Sequence, residues 1–450
     1  FSAPTPAQIE AWQAIRSGAN VLVIAPTGSG KTLAAFLWAI DRLARDKSAE
    51  PAPSAGVRVL YISPLKALGV DVERNLRAPL VGIRQASIAA GGPPPDITVG
   101  VRSGDTTPAE RRRLAVHPPD VLLTPPESLY LMLTGKAAET LKSVDTVIVD
   151  EVHALAGNKR GAHLALSLER LDSLLPQPAQ RIGLSATVEP AAEVARFLAG
   201  GSPVQVVRPP ANKRFDITVE VPVEDMSNPP IVEPEVINAN TSVDEHRLGS
   251  MWPAIEKSLY LRILAAQSTI VFTNSRRMAE RLTARLNQLH GEDQPVLARA
   301  HHGSVSKETR AQVEEDLKSG TLRCVVATAS LELGIDMGEV DLVVQIDPPP
   351  SVSAGLQRMG RSGHQVGGAS RAVFYPTHRS KLLETAVIAQ RMLKGEIETL
   401  RVLSNPLDVL AQQTIAQTVL GPLSVDEWFT PVRRSAPFAN LPRSAYVAVL

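Results

Sequence analysis

The chain has 450 residues, more than one hydrophobic core usually supports, so two or three domains are expected, and its 44% hydrophobic and 21% charged residues are an ordinary globular composition. Its 47 basic residues are offset by 46 acidic ones for a net charge of +1, which excludes holding a polyanion through bulk charge and leaves any basic surface local. The single cysteine, Cys324 in the apolar run LRCVVAT, excludes an intrachain disulfide and fits a reducing, cytoplasmic setting. No signal-peptide pattern opens the chain, and no apolar run approaches the roughly 18 residues that a membrane-spanning helix needs. The chain begins at Phe1 and stops inside YVAVL, which reads as a fragment of something longer.

In chain order, PTPAQIEAW (4–12) reads as a helix start, with Thr5 as cap and Pro6 in the first turn. Short β-branched runs then alternate with helix-length amphipathic stretches: VLVIA (21–25), VRVLYIS (57–63), DITVGV (96–101), DVLLT (120–124), VDTVIVD (144–150) and RIGLSA (181–186). The same alternation restarts with TIVFT (269–273), PVLARAH (295–301), RCVVAT (323–328), DLVVQID (341–347) and RAVFYPT (371–377). Strands separated by helices predict parallel sheets, so the fold class is α/β with two tandem domains. Between them, residues 208–251 are rich in proline, acid and asparagine and read as a linker, with one strand near DITVEV (216–221) and a long loop after it. The expected domains are 1–207 and 252–395. From 396 the βα rhythm gives way to helical segments that read as the opening of a winged-helix-type module, incomplete at 450.

APTGSGKT (25–32) lies between a strand and a helix, the context in which a glycine-rich turn cradles phosphate. Thr27, Gly28, Ser29 and Gly30 supply converging backbone N–H groups, Lys31 reaches the terminal phosphates, and Thr32 can ligate Mg²⁺. In VDTVIVDEVH (144–153) an acidic pair ends an apolar strand, a costly place for carboxylates unless they serve a cation or an attacking water. Asp150 is therefore expected at Mg²⁺, and Glu151 as the group that polarises the hydrolytic water of an ATPase.

APTGSGKT, DEVH and SAT (185–187), in that order, resemble the ATPase core of superfamily 2 helicases, in which two RecA-like domains clamp ATP. The second half carries matching parts. ATASLELGIDMGEVDLVV (327–344) is similar to the motif that links nucleotide to nucleic acid, with Gly334 and Asp336 as nucleotide contacts. QRMGRSGH (357–364) is similar to the arginine-finger motif, with Arg361 as the finger, Arg358 as a lesser contributor, and His364 where the family has a second arginine. The resemblance further implies that Gln8 reads adenine, with Phe1 or Phe36 as packing surface. Ser185 and Thr187 would couple ATP turnover to movement through hydrogen bonds to the acidic motif.

By the same resemblance, single-stranded nucleic acid is gripped through its phosphates, which a chain of charge +1 can do with N–H groups, hydroxyls and a few cations. The matching positions are Ser63, Lys66, Thr124 and Glu127 in the first domain, and Thr273, Asn274, Arg276, His302 and Thr328 in the second. Arg111, Arg112 and Arg113 lie beside a helix start and read as either a solvated face or a phosphate contact.

DEVH, SGDT (103–106), PPANKRFDITVEVP, SMWPAIEKSLYLRI and QRMGRSGH together resemble the large helicase-related (Lhr) family over nearly the entire chain. That resemblance implies a 3′-to-5′, single-stranded-DNA-dependent ATPase that unwinds DNA and RNA:DNA duplexes in DNA repair, and a winged helix after the RecA pair. Only IDPPPSVSAGL (346–356) separates VVQ from QRMG, and its proline triplet would not support a strand-splitting hairpin. Any wedge is expected in accessory domains. An RNA helicase with the same core, or an ATP-gated clamp without turnover, stays open at this point.

Overall fold

The computed structural model describes residues 3–26, 28–47, 56–92, 94–210, 214–229, 250–291, 293–332, 337–338, 340–363 and 369–450, without the side chains of 66–71 and 369. Thr27, Gly334, Asp336 and His364, together with Phe1 and most of the expected linker loop, lie outside the described residues. Two compact units form: Phe1–Ala211 with Thr399–Leu450, and Asn212–Glu398.

The first unit is built on a seven-stranded sheet of β1 (Asn20–Ile24), β2 (Val59–Ile62), β3 (Val99–Val101), β4 (Val121–Thr124), β5 (Thr146–Val149), β6 (Gln180–Ser185) and β7 (Val204–Val207), in the order β3-β4-β2-β5-β6-β1-β7. Every pairing is parallel. Helices cover both faces of such a sheet, so its central strands read as unbroken apolar runs, and β2, β4 and β5 are buried throughout. One core lies on each face. Leu22, Leu60, Val147 and Leu164 share one; Val23, Phe36, Tyr61 and Ile148 share the other.

The second unit has a six-stranded parallel sheet of β8 (Arg214–Val219), β9 (Thr269–Phe272), β10 (Ala298–His301), β11 (Cys324–Ala327), β12 (Leu342–Ile346) and β13 (Ala369–Tyr375), ordered β10-β11-β9-β12-β13-β8. The strand expected in the linker is thus β8, the sheet's edge, paired in parallel with β13. Its alternating exposure, unlike the full burial of β9 and β11, is what an edge position permits.

The helices Leu407–Thr418, Val425–Arg434 and Arg443–Val449 join the first unit. Val409, Leu410, Trp428, Val432, Phe438 and Tyr446 form a core with Ala162 and Leu166 of the helix Lys159–Asp172. Polar contacts fix the same contact surface: Arg170 donates to Gln413 and Gln417, each at 2.8 Å, and Arg434 pairs with Glu169 at 2.9 Å. The segment leading into these helices is tied down as well, with the Leu400 N–H donating to the Glu189 carbonyl at 2.7 Å.

Candidate functional site

The loop after β1 needs positive φ at two places, and glycine fills both: Gly28 at 82° and Gly30 at 80°. The N-terminus of the helix Pro6–Arg16 clamps this loop. Thr5 and Gln8 form a reciprocal capping box, Thr5 Oγ1 donates to the Ser29 carbonyl at 2.9 Å, and Gln8 Nε2 donates to the Gly30 carbonyl at 3.4 Å. A Cβ on Gly30 would stand 2.5 Å from Gln8 Nε2, so a side chain here would displace the Gln8 amide as well as strain the left-handed backbone. Gln8 therefore serves as helix cap and as a contact to the phosphate loop at once. Phe36 lies elsewhere: it is fully buried against Tyr61 in the core, which corrects the expectation that it packs on adenine.

Lys31 opens the helix Lys31–Lys47, and its Nζ donates to the carbonyls of Ala25 at 2.5 Å and Pro26 at 2.9 Å. Thr32 is the next residue and is half-buried. Ser29 closes the turn by donating from Oγ to the Pro26 carbonyl at 2.7 Å.

Asp150 and Glu151 follow β5 and are both buried. Burial first, then the neighbouring charge of Glu151, push the Asp150 carboxyl up to about 6, against the opposing pull of Tyr61, the Glu151 N–H and Lys31. Asp150 Oδ1 accepts from the Glu151 N–H at 2.8 Å, and Oδ2 accepts from the Tyr61 hydroxyl. Glu151 itself has φ of 47°, a left-handed conformation that non-glycine residues hold only where the surroundings enforce it. Among the described residues no three His, Cys, Asp or Glu side chains cluster as a metal cage. One carboxylate and one hydroxyl, Asp150 and Thr32, suit Mg²⁺, which keeps several waters and takes phosphate oxygens.

The segment SAT (185–187) meets the acidic motif through His153. Ser185 Oγ lies 3.2 Å from His153 Nδ1, the Ala186 N–H donates to the same nitrogen at 3.3 Å, and Glu151 Oε2 is 3.6 Å from it. An accepting Nδ1 places the proton of the neutral ring on Nε2. Thr187 is half-buried beside this contact. Sequence reasoning missed both Tyr61 and His153. A hydroxyl inside the buried run VLYI and a histidine two residues past the carboxylates were the available signals.

On the first unit Ser63 and Thr124 are buried at the ends of β2 and β4, donating to the carbonyls of Leu65 and Arg102, each at 2.9 Å. Glu127 pairs with Arg160 at 2.5 Å, and Arg160 also donates to the Pro64 carbonyl at 2.8 Å, so this unanticipated arginine joins the two loops. Lys66 heads the helix Lys66–Ala89. Arg111 donates to the carbonyls of Ser103 and Gly104, at 3.3 and 3.1 Å.

On the second unit Thr273 donates to the Ser275 carbonyl at 3.1 Å, and Ser275 caps the helix Arg276–His290. Arg276 reaches Ser304 at 2.7 Å and His302 reaches Glu280 of the same helix at 2.6 Å, which brings these two expected residues to one end of the sheet. Thr328 follows β11, its N–H donating to the His301 carbonyl at 3.3 Å. Asn274 is exposed yet engaged, donating to the Pro348 carbonyl at 2.8 Å and accepting from Arg358 at 3.1 Å. Arg358 is a buried hub that also binds Glu332 and Gln345, at 3.0 and 2.9 Å. Arg361 is buried beside it and donates to the Glu332 carbonyl at 3.1 Å.

Three family models match the chain in order: DEAD/DEAH box helicase over residues 5–195, helicase conserved C-terminal domain over 254–365, and large helicase-related protein, winged helix domain, over 390–450. An Lhr helicase of Mycolicibacterium smegmatis is 60% identical over 480 residues, covering 100% of this chain and 30% of the relative. The ATP-dependent helicase Lhr-Core of Methanothermobacter thermautotrophicus is 43% identical, over 99% of this chain and 50% of the relative. Among solved structures, Mycobacterium smegmatis helicase Lhr bound to ssDNA and AMP-PNP superposes with a TM-score of 0.90 at 63% identity, over 100% of this chain and 56% of that one. The chain thus spans from under a third to about half of the relatives it matches. With two parallel-sheet units, a phosphate loop facing an acidic pair, and a winged-helix start matched in sequence, the chain belongs to the Lhr, or large helicase-related, family of superfamily 2 helicases.

Proposed function

We propose that the chain is the ATP-hydrolysing motor of a 3′-to-5′ DNA helicase that moves on single-stranded DNA, opens DNA and RNA:DNA duplexes, and serves DNA repair. The observation that carries the reading is the continuous contact from the acidic pair to the coupling motif: Asp150 to Glu151, Glu151 beside His153, and His153 to Ser185 and Ala186. Structural likeness to an Lhr helicase with ssDNA and AMP-PNP supports the nucleotide and the strand.

In this reading the N–H groups of Gly28 to Thr32 and the Lys31 ammonium bind the polyphosphate, and Lys31 exchanges its two carbonyl partners for phosphate oxygens. Thr32 and Asp150 would hold Mg²⁺, which when bound would supply positive charge to offset that of the polyphosphate. Glu151 orients the attacking water and accepts its proton. Arg361 supplies the cation for the transferred phosphoryl group, with Gly334, Asp336 and His364 as further nucleotide contacts and Gln8 on the base. Loss of the γ-phosphate changes what Glu151 binds, and His153 passes that change to Ser185 at the end of β6. Thr187 completes this coupling segment. Ser63, Lys66, Thr124, Glu127, Thr273, Asn274, Arg276, His302 and Thr328 hold the strand.

Strand displacement on matched DNA, RNA and hybrid duplexes with 3′ or 5′ tails tests the reading. ATP-dependent opening from a 3′ DNA tail is expected, and preference for an all-RNA tracking strand would defeat the DNA assignment. Absence of nucleic-acid-stimulated phosphate release would point instead to a clamp without turnover.

A further inference from the structure

Strand β2 is buried along its whole length, and three of its four side chains are hydrocarbon. The fourth, Tyr61, is equally buried, and its ring packs on Phe36 with centroids 5.1 Å apart, a contact that phenylalanine would make as well. A buried hydroxyl is costly unless it is hydrogen-bonded, so the oxygen at this position has to be accounted for. It donates to Asp150 Oδ2. The parallel register sets Tyr61 beside Ile148 of β5, two residues before Asp150, so the long phenol spans the distance along the strand to the carboxylate. The Glu151 N–H holds the other oxygen at 2.8 Å. One donor on each oxygen fixes both the rotation and the plane of the Asp150 carboxylate.

We propose that Tyr61 is a positioning residue for metal-dependent nucleotide binding: its hydroxyl holds the Asp150 carboxylate in the single orientation that meets a nucleotide-bound divalent cation. The proposal rests on Asp150 being the metal partner of an ATPase. Groups that orient a metal's carboxylate ligand from behind act on metal affinity more than on the bare nucleotide, because the nucleotide has its own contacts to the phosphate loop.

The test is binding of a fluorescent ADP analogue to the 450-residue chain, in EDTA and across a Mg²⁺ titration, for wild type, Tyr61→Phe and Phe36→Leu. Tyr61→Phe keeps the ring and removes only the hydroxyl. It is expected to bind the analogue normally in EDTA but to need about ten-fold more Mg²⁺ for half of the metal-dependent gain. ATP turnover in this variant recovers at high Mg²⁺. Phe36→Leu disturbs the same packing without touching the hydroxyl, and should leave the Mg²⁺ half-saturation unchanged. An unchanged Mg²⁺ requirement in Tyr61→Phe, or an equal shift in Phe36→Leu, overturns the positioning role while leaving the ATPase reading intact. If wild type gains no affinity from Mg²⁺, the ATPase reading fails, and the positioning role fails with it.

Discussion

At the scale of single residues, the two carboxylates after β5 sit differently: Asp150 accepts a donor on each oxygen, while Glu151 holds a left-handed backbone. Glu151→Gln keeps size and hydrogen bonding but removes the proton acceptor, so nucleic-acid-stimulated ATP turnover should fall at least about a hundred-fold while nucleotide binding persists. Normal turnover in this variant, measured by phosphate release, would mean that another group activates the water. Asp150 carries a second consequence. Its folded-state pKa of about 6 lies above the ordinary 3.8, so the folded protein binds that proton more tightly than the unfolded chain does. The cost of ionising it is therefore fully present above about pH 6 and vanishes as the pH falls towards about 4. Asp150→Asn should accordingly make the metal-free protein more stable at pH 7.5, with the gain shrinking in acid; chemical denaturation at both pH values measures it. The placement of Lys31, Thr32, Asp150 and Glu151 just past two strand ends was readable from sequence, because each lies within a few residues of an apolar run whose end is set locally. Tyr61 was not, since 89 residues separate it from Asp150 and only the pairing of β2 with β5 brings them together.

At the scale of elements, the phosphate loop is braced by the helix that precedes β1. Thr5 both caps that helix and donates to the Ser29 carbonyl. Thr5→Ala should lower stability by about 1 kcal/mol, the usual worth of such a cap, and should weaken ATP-analogue binding beyond what the stability loss explains. Equal nucleotide affinity in the variant and wild type, by fluorescence titration, would show that the brace does not reach the loop. Gly30→Ala places a methyl group in a left-handed position and against Gln8, so nucleotide affinity should fall more than melting temperature. Glycine's role in APTGSGKT is legible in the motif itself. Gln8 as the particular neighbour that a methyl would displace is not, because the contact spans 22 residues.

At the scale of the whole molecule, the helices from Leu407 onward share a core with the helix Lys159–Asp172. Removing residues 399–450 would expose Ala162 and Leu166 and leave buried Arg170 without Gln413 and Gln417. A chain ending at Glu398 should therefore melt several degrees lower and bind a hydrophobic dye. A melting curve unchanged by the truncation would show that the two parts are energetically independent. Arg170→Met should cost less than Arg170→Ala: both leave the Gln413 and Gln417 oxygens without their donor, but only alanine also leaves a cavity.

Sequence by itself determined the α/β class, the run of parallel strands and the chemical identity of the phosphate loop and acidic pair. Those rest on short-range periodicity and on which residue types can sit at a strand end. Tertiary structure decided the rest: that β8 is an edge of the second sheet, that the C-terminal helices join the first unit, that Arg160 links Glu127 to Pro64, that His153 meets Ser185, and that Tyr61 holds Asp150. Each of these depends on strand order and register between segments far apart in the chain, and no local pattern of residues encodes which two distant strands will lie side by side.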